Sequence, residues 1–466
     1  MSDFRFLFYS DEGQANSDWH DTLAVLQYAA PKAPLQKQVM VDAYGKVRAV
    51  TEHSGKTKSA QIQVDPAAAE KVMKLTRRLV SFATEFALYG NIWQQWIAYM
   101  IMMHENPFTL TCERRPVGKT STMMKLAEKD FEIFREIMHL DLEALGKATG
   151  TDILAMMAKY HMPFAQEPDS GTGKRIRILS SKLADAADVK SFGEIISQHY
   201  AGYGVGIYGL YKAFRVAEGE DALRIVPVTD TEDVTFDDLV GYEDQKKALK
   251  ENTEAFVNGV HANNVLLYGD SGTGKSTSIH ALMHDYFGRG LRLVEISKAD
   301  RSKLSQVLAE IKKRNYRFII FLDDLSFEEN ESDYKELKAM LEGALESRSD
   351  RVLIYATSNR RHLIRETWGD RQDMEYNEDI HRSDTMEEKL SLASRFGVTI
   401  YYAKPNAGEY LNIVRELTKR NGIEIGEKEL SDIARKWELR HGGMSGRTAS
   451  QLITWLRGEA ARLKEK

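Results

Sequence analysis

Residues 263–276 read Asn-Asn-Val-Leu-Leu-Tyr-Gly-Asp-Ser-Gly-Thr-Gly-Lys-Ser, and this stretch decides the fold. The apolar run Val265-Leu266-Leu267 reads as a buried strand. It ends in Gly269-x-x-x-x-Gly274-Lys275-Ser276, after which Thr277 to Tyr286 carry a helical pattern. Glycines let such a loop curl until its N–H groups face inward, and the following helix turns its positive end toward an anion. The loop Gly269, Asp270, Ser271, Gly272, Thr273, Gly274, Lys275, Ser276 and Thr277 is therefore expected to cradle phosphates. Lys275 would reach the β- and γ-phosphates and Ser276 would ligate Mg²⁺. The signal is specific because strand, loop and helix occur together.

Look-alikes elsewhere lack that context. Asp169-Ser170-Gly171-Thr172-Gly173-Lys174 repeats the hexapeptide of Asp270 to Lys275, but Pro168 replaces the leading glycine and Arg175 replaces the hydroxyl residue. No strand pattern precedes it, so a surface turn is expected. Gly118-Lys119-Thr120 also lacks the upstream glycine and strand. Gly204-x-Gly206-x-x-Gly209 has the spacing of a dinucleotide fingerprint, yet a helix-like segment precedes it and no βαβ unit ending in acid follows. A hinge or close helix packing is the expectation there.

Downstream of the loop, strand and helix patterns alternate as in a doubly wound parallel sheet. Leu291 to Ile296 reads as a strand, Ser302 to Lys313 as a helix, and Phe318-Ile319-Ile320-Phe321-Leu322 as a strand that ends in Asp323-Asp324. Asp323 is expected to hold Mg²⁺ and Asp324 to orient and polarise water. Val352 to Thr357 forms a further strand, with Ser358-Asn359 at the carboxyl end where parallel sheets bind ligands.

The 466 residues, 42% of them hydrophobic, suffice for more than one core. A net charge of −5 gives no global attraction to nucleic acid or anionic lipid. One cysteine, Cys112, excludes an intrachain disulfide framework and fits a reducing, cytoplasmic setting. Met1-Ser2-Asp3-Phe4-Arg5 lacks the features of a signal peptide. Phe86 to Met103 is uncharged, but Gly90, Asn91, Gln94 and Gln95 interrupt it, so it reads as a buried helical hairpin and no membrane is expected.

Residues 1–225 read as a mainly helical domain. Asp65-Pro66 makes a helix start, and Val72, Leu75, Leu79, Phe82 and Phe86 recur at helical spacing until Gly90. Further helices are expected over Ile92–Met103, Met123–Leu145, Asp152–Tyr160 and Phe192–Tyr200. An acidic, proline-containing connection, Val226 to Asp233, leads into an α/β core over 232–403 and a helical lid over 404–466.

Taken together, these residues resemble the AAA+ superfamily of P-loop ATPases over roughly 232–460. Phe236-Asp237-Asp238-Leu239-Val240-Gly241-Tyr242-Glu243 is similar to the superfamily's adenine-packing segment, which puts Val240 and Gly241 at the base. The resemblance makes Asn359 the polar sensor beside the γ-phosphate and Arg447, in Gly443-Met444-Ser445-Gly446-Arg447, the second sensor on the lid. Ser394-Arg395-Phe396-Gly397 is similar to the arginine finger that reaches a neighbouring subunit's nucleotide. More narrowly, Phe321 to Phe327 and Tyr355 to Leu363 resemble a bacterial AAA+-type family of unknown function, a likeness that extends weakly to Tyr208–Arg215. That family supplies a fold and a nucleotide, and no substrate.

The resemblance implies Mg-ATP hydrolysis by Lys275, Asp324, Asn359 and Arg395 in a homo-oligomer, with a hexameric ring among the forms it allows, acting on a protein client. Alternatives are an ATP-dependent adaptor with negligible turnover and a nucleic-acid loader using Arg360, Arg361, His362 and Arg365. Asp324 stands where most active members have Glu, and its shorter arm predicts slow hydrolysis. Between Ile296 and Phe318 there is no aromatic-apolar-Gly loop of the protein-threading kind.

Overall fold

Local composition accounts for most elements, and long-range pairing decides where the units divide. The computed structural model describes residues 17–26, 38–41, 47–50, 66–161, 171–217, 223–229, 234–326, 337–338, 341, 350–359 and 392–464. Two compact units emerge, Met1–Leu210 and Tyr211–Lys466.

The first unit is mainly helical, with one small antiparallel pair, β1 (Gln38–Val41) and β2 (Val47–Val50). The helix Pro66–Glu85 buries Val72, Leu75, Leu79 and Phe82 at the expected spacing. Gly90, at φ +83°, turns the chain, and Asn91 caps Ile92–Met103 by accepting from the Gln94 N–H. Trp93 and Trp96 of that helix are buried, and their ring N–H groups donate to the Ile137 carbonyl at 2.8 Å and to Thr22 Oγ1 at 2.9 Å. The uncharged run is thus the turn 86–91 and one largely buried helix, where a hairpin was expected. No described helix is long and apolar enough to cross a membrane.

Three expectations for this unit need correction. The single helix expected over Met123–Leu145 is two, Thr122–Met138 and Leu142–Thr149, because Asp141 caps the second through the N–H groups of Glu143 and Ala144. Ile153–Lys159 is a 3₁₀ helix. The described part of the second hexapeptide is no surface turn, since Gly171 opens the helix Gly171–Ala184. The Gly204-x-Gly206-x-x-Gly209 segment does pack closely. A Cβ on Gly209 would lie 2.6 Å from the Gly204 carbonyl carbon, and one on Gly206 would lie 2.2 Å from a Glu105 carboxylate oxygen.

In the second unit, β3 (Ala213–Ala217), β4 (Arg224–Pro227), β5 (Val265–Gly269), β6 (Leu291–Glu295), β7 (Arg317–Leu322), β8 (Val352–Ser358) and β9 (Val398–Tyr402) form one seven-stranded sheet. Its order is β4-β3-β6-β7-β8-β5-β9, parallel except for the β3–β4 pair. This is a doubly wound α/β architecture. Phe318 to Leu322 are all buried, which explains why β7 reads as a continuous apolar run. Burying each such large side chain contributes about 1.5–3 kcal/mol. The unit begins at Tyr211, ahead of the border expected at residue 225, because β3 takes β6 as its parallel partner with Phe214 opposite Val294.

The helices Ala407–Arg420, Glu427–Arg440 and Gly446–Lys464 form the lid around Tyr410, Val414, Leu430, Ala434, Leu452 and Ile453. Asn406 and Glu409 start it with a reciprocal capping box.

Candidate functional site

Sheet register assembles the site. Leu267 lies opposite Thr357 on β5–β8, and Leu322 lies opposite Ala356 on β7–β8. The glycine loop after β5, the acids after β7 and the polar end of β8 therefore meet at the carboxyl ends of the strands, where open parallel sheets bind ligands.

Two loop glycines are demanded, Gly269 by space and by its backbone angle and Gly274 chiefly by its backbone angle. Gly269 has φ +136°, and a Cβ there would sit 2.1 Å from the Tyr402 carbonyl oxygen. Gly274 has φ +91°, with a Cβ position 2.2 Å from a Leu239 methyl. The loop is pinned by the Asp270 N–H donating to the Tyr402 carbonyl at 3.2 Å and by Thr273 Oγ1 donating to the Asp270 carbonyl at 2.8 Å.

Lys275 begins the helix Lys275–Tyr286 and is only 7% exposed. Its ammonium donates to the carbonyls of Gly269 and Asp270 at 2.9 and 2.7 Å and to Asn359 Oδ1 at 3.0 Å. Burial lowers its pKa, Asp270, Asp323 and Asp324 oppose that, and Arg447 adds to it. The amide of Asn359 continues the chain of contacts, its Nδ2 donating to Asp324 Oδ1 at 3.0 Å. One side chain thus spans the loop lysine and the second acid.

Ser276 Oγ donates to Asp323 Oδ1 at 2.7 Å, and Thr357 Oγ1 donates to the same oxygen. Thr357 also accepts from the Asp324 N–H at 2.9 Å, while its carbonyl accepts from the Leu325 N–H at 2.7 Å. Asp324 sits at φ +47°, a left-handed backbone that short polar residues tolerate best and that costs on the order of 1 kcal/mol.

The cleft in front of these groups has a volume of about 520 Å³. One wall is apolar, built from Leu239 and Val240 and from Ile413 and Leu417 of the lid; the other is the polar loop. Such an apolar end beside a phosphate-sized polar end fits a nucleotide. Tyr242 also lines the cleft, donates to the Ala403 carbonyl at 2.9 Å, and has its phenol pKa pushed up to about 12, chiefly by burial. Gly241, at φ +83°, shapes the turn without lining the cleft. Arg447 lines it from the lid, and its N–H donates to the Gly272 carbonyl at 3.2 Å.

Ser276 and Asp323 offer a hydroxyl and a carboxylate at one point. That donor set fits Mg²⁺, which takes oxygen ligands, keeps several waters and needs only one or two carboxylates. No cluster of three or more His, Cys, Asp or Glu suited to a metal occurs among the described residues.

Arg395 is not brought to this cleft. It is exposed, in the turn between the helical residues 392–394 and β9, and does not line the cleft. The basic cluster Arg360, Arg361, His362 and Arg365 lies outside the described residues. Sequence reasoning missed Thr357, which binds both acids' neighbourhood, and the lid residues Ile413, Leu417 and Ser450. Thr357 had a signal, a hydroxyl residue ending an apolar strand two positions before Asn359. The lid residues had none, because helical spacing does not say which face looks across a cleft.

Comparison with known proteins gives one family and partial likenesses. A family model described as a protein of unknown function (DUF815) matches residues 210–460. The large subunit of replication factor C from Methanococcus vannielii is 28% identical over 117 residues, 24% of this chain and 24% of that protein. The chain thus matches about a quarter of the length of that curated relative. Among solved structures, the RuvB Holliday junction branch migration motor of Thermotoga maritima aligns with a TM-score of 0.36 and 18% identity, over 50% of this chain and 66% of that one.

Proposed function

The chain belongs to the DUF815 family of proteins of unknown function, and for this member we propose Mg-ATP binding and hydrolysis that drives a conformational switch in an oligomer. The observation that carries the reading is Asn359, which joins the Lys275 ammonium to the Asp324 carboxylate across the mouth of the loop. The base of ATP lies against Leu239, Val240, Ile413 and Leu417, with its phosphates along residues 269–277. Water held by Asp324 and Asn359 attacks the γ-phosphorus, the bond to the bridging oxygen of the β-phosphate breaks, and ADP and inorganic phosphate leave. Lys275 balances charge on the transferring oxygens, an electrostatic role that preorganised donors perform without rearrangement. Ser276 and Asp323 would hold Mg²⁺, which supplies charge neutralisation at the phosphates.

Arg395 stands exposed and away from its own cleft, as a residue serving an adjacent copy's nucleotide would. In this reading hydrolysis moves the N-terminal helical unit against a protein client. A second reading, an adaptor that binds ATP and scarcely turns it over, is favoured by one observation: Asp324 gives a shorter arm than Glu.

Asp324→Asn separates the two. ATP affinity should persist while turnover falls by about 10²-fold or more, the scale of a lost catalytic carboxylate. A parent that binds ATP and shows no turnover at any concentration would favour the adaptor. For shared sites, Arg395→Ala should keep affinity and lose on the order of 10³ in rate, and mixing it with Lys275→Ala should restore part of the turnover. A monomer whose activity is indifferent to Arg395→Ala removes the shared-site element alone.

A further inference from the structure

Asp324 needs an explanation that its own side chain does not give. A non-glycine residue at φ +47° relaxes toward negative φ unless its flanking peptide groups are held. On the amino side Thr357 Oγ1 accepts the Asp324 N–H at 2.9 Å, and on the carboxyl side the Leu325 N–H donates to the Thr357 carbonyl at 2.7 Å. The carbonyl of that carboxyl-side peptide group has a further partner from another element. Arg301, in the 3₁₀ segment Lys298–Lys303 that follows β6, is 5% exposed. Its guanidinium donates to the Asp324 carbonyl at 3.4 Å and to the Ser326 carbonyl at 3.3 Å. A planar fork with fixed N–H directions can hold two carbonyls of one turn at a set angle, which a single ammonium cannot.

We propose that Arg301, which does not line the cleft, is a positioning residue that holds Asp324 in the left-handed turn from which its carboxylate meets Asn359. The proposal rests on Asp324 acting on water as described above. The shorter acid then belongs with its backbone: the left-handed turn aims the carboxylate at the Asn359 amide, and Asp is among the residues that accept that conformation most readily. Releasing the Asp324 and Ser326 carbonyls lets the turn rotate and carries the carboxylate away from Asn359. The nucleotide's own contacts, on residues 269–277 and the lid, stay as they are.

The test uses the full chain, with steady-state ATP turnover, equilibrium binding of a fluorescent ATP analogue, and thermal melting. Arg301→Ala should lower kcat by roughly ten- to hundredfold, the scale of a displacement near 1 Å at a reacting group, with analogue affinity and KM within about twofold of the parent. Arg301→Lys, able to reach one carbonyl, should fall between the two and shows the effect even if the alanine variant folds poorly. If both variants turn over ATP like the parent while Asp324→Asn is slow, the Arg301 role is wrong and the hydrolytic reading stands. If kcat, affinity and melting temperature fall together in both variants, Arg301 is a structural pin and the proposal is overturned. A parent with no turnover, or an Asp324→Asn variant as fast as the parent, overturns the reading of Asp324 and this inference with it.

Discussion

The chain writes Asp-Ser-Gly-Thr-Gly-Lys twice and folds it two ways. At Asp270–Lys275 the segment leaves a buried strand, takes left-handed angles at Gly272 and Gly274, and delivers a lysine that is 7% exposed into three hydrogen bonds. In the other copy Gly171, Thr172, Gly173 and Lys174 form the first turn of a helix, neither glycine has positive φ, and Lys174 is exposed. The residue after the lysine marks the difference. Ser276 faces Asp323, whereas Arg175 turns to Thr172 Oγ1 at 3.2 Å and to the Leu210 carbonyl. A glycine-rich hexapeptide is permissive, and the strand before it and the residue after it decide what it becomes.

That contrast can be broken most directly at the lysines. Lys275→Ala should remove measurable ATP binding and with it all turnover, since a buried ammonium contact is lost, while circular dichroism stays near the parent's and the melting temperature falls modestly as three acceptors lose their donor. Retained ATP affinity in a folded Lys275→Ala chain would end the nucleotide reading.

Glycine substitutions give a smaller and oppositely signed pair. Gly269→Ala should destabilise the second unit by about 2–4 kcal/mol in urea unfolding, because the new methyl meets the Tyr402 carbonyl in a backbone that disfavours Ala. Gly171→Ala meets open space in a helix and should stabilise by about 0.5–1 kcal/mol. Equal effects at the two positions would mean that the two copies are not in the different backbones described.

The smallest effect is expected at Lys174. Lys174→Ala should leave ATP affinity within about twofold, consistent with an exposed side chain whose surface substitution is near neutral. A large loss, read by the same binding assay, would require the second hexapeptide to take part in nucleotide binding.

What could be read in advance follows the range of the forces involved. The strand, loop and helix at 265–286 are set by neighbours in the chain, and so are the acids that end β7. Thr357 needed the register of β8 against β7, a relation between residues more than thirty positions apart. The start of the second unit was hidden for the same reason, since β3 is made a sheet strand by β6. Within the helical unit, the break between Met138 and Leu142 turned on the cap at Asp141, which periodicity alone passes over. The Asp324 backbone was outside reach altogether, because a short acid is legible as a letter and its φ is not.

The glycine loop is fastened to the lid at its entrance and at the start of its last helix. Asp270 grips its entrance, through its N–H on the Tyr402 carbonyl and its carboxylate on the Lys404 N–H at 3.1 Å. Gly272 grips its last helix at Arg447. In mechanical terms this is a closed linkage with two joints, and such a linkage has fewer independent motions than a flap on a single hinge. A displacement of the loop by a fraction of an ångström at Gly272 must be taken up at Arg447 or break that joint. Hydrogen exchange at the Arg447 N–H therefore reports how often that joint opens.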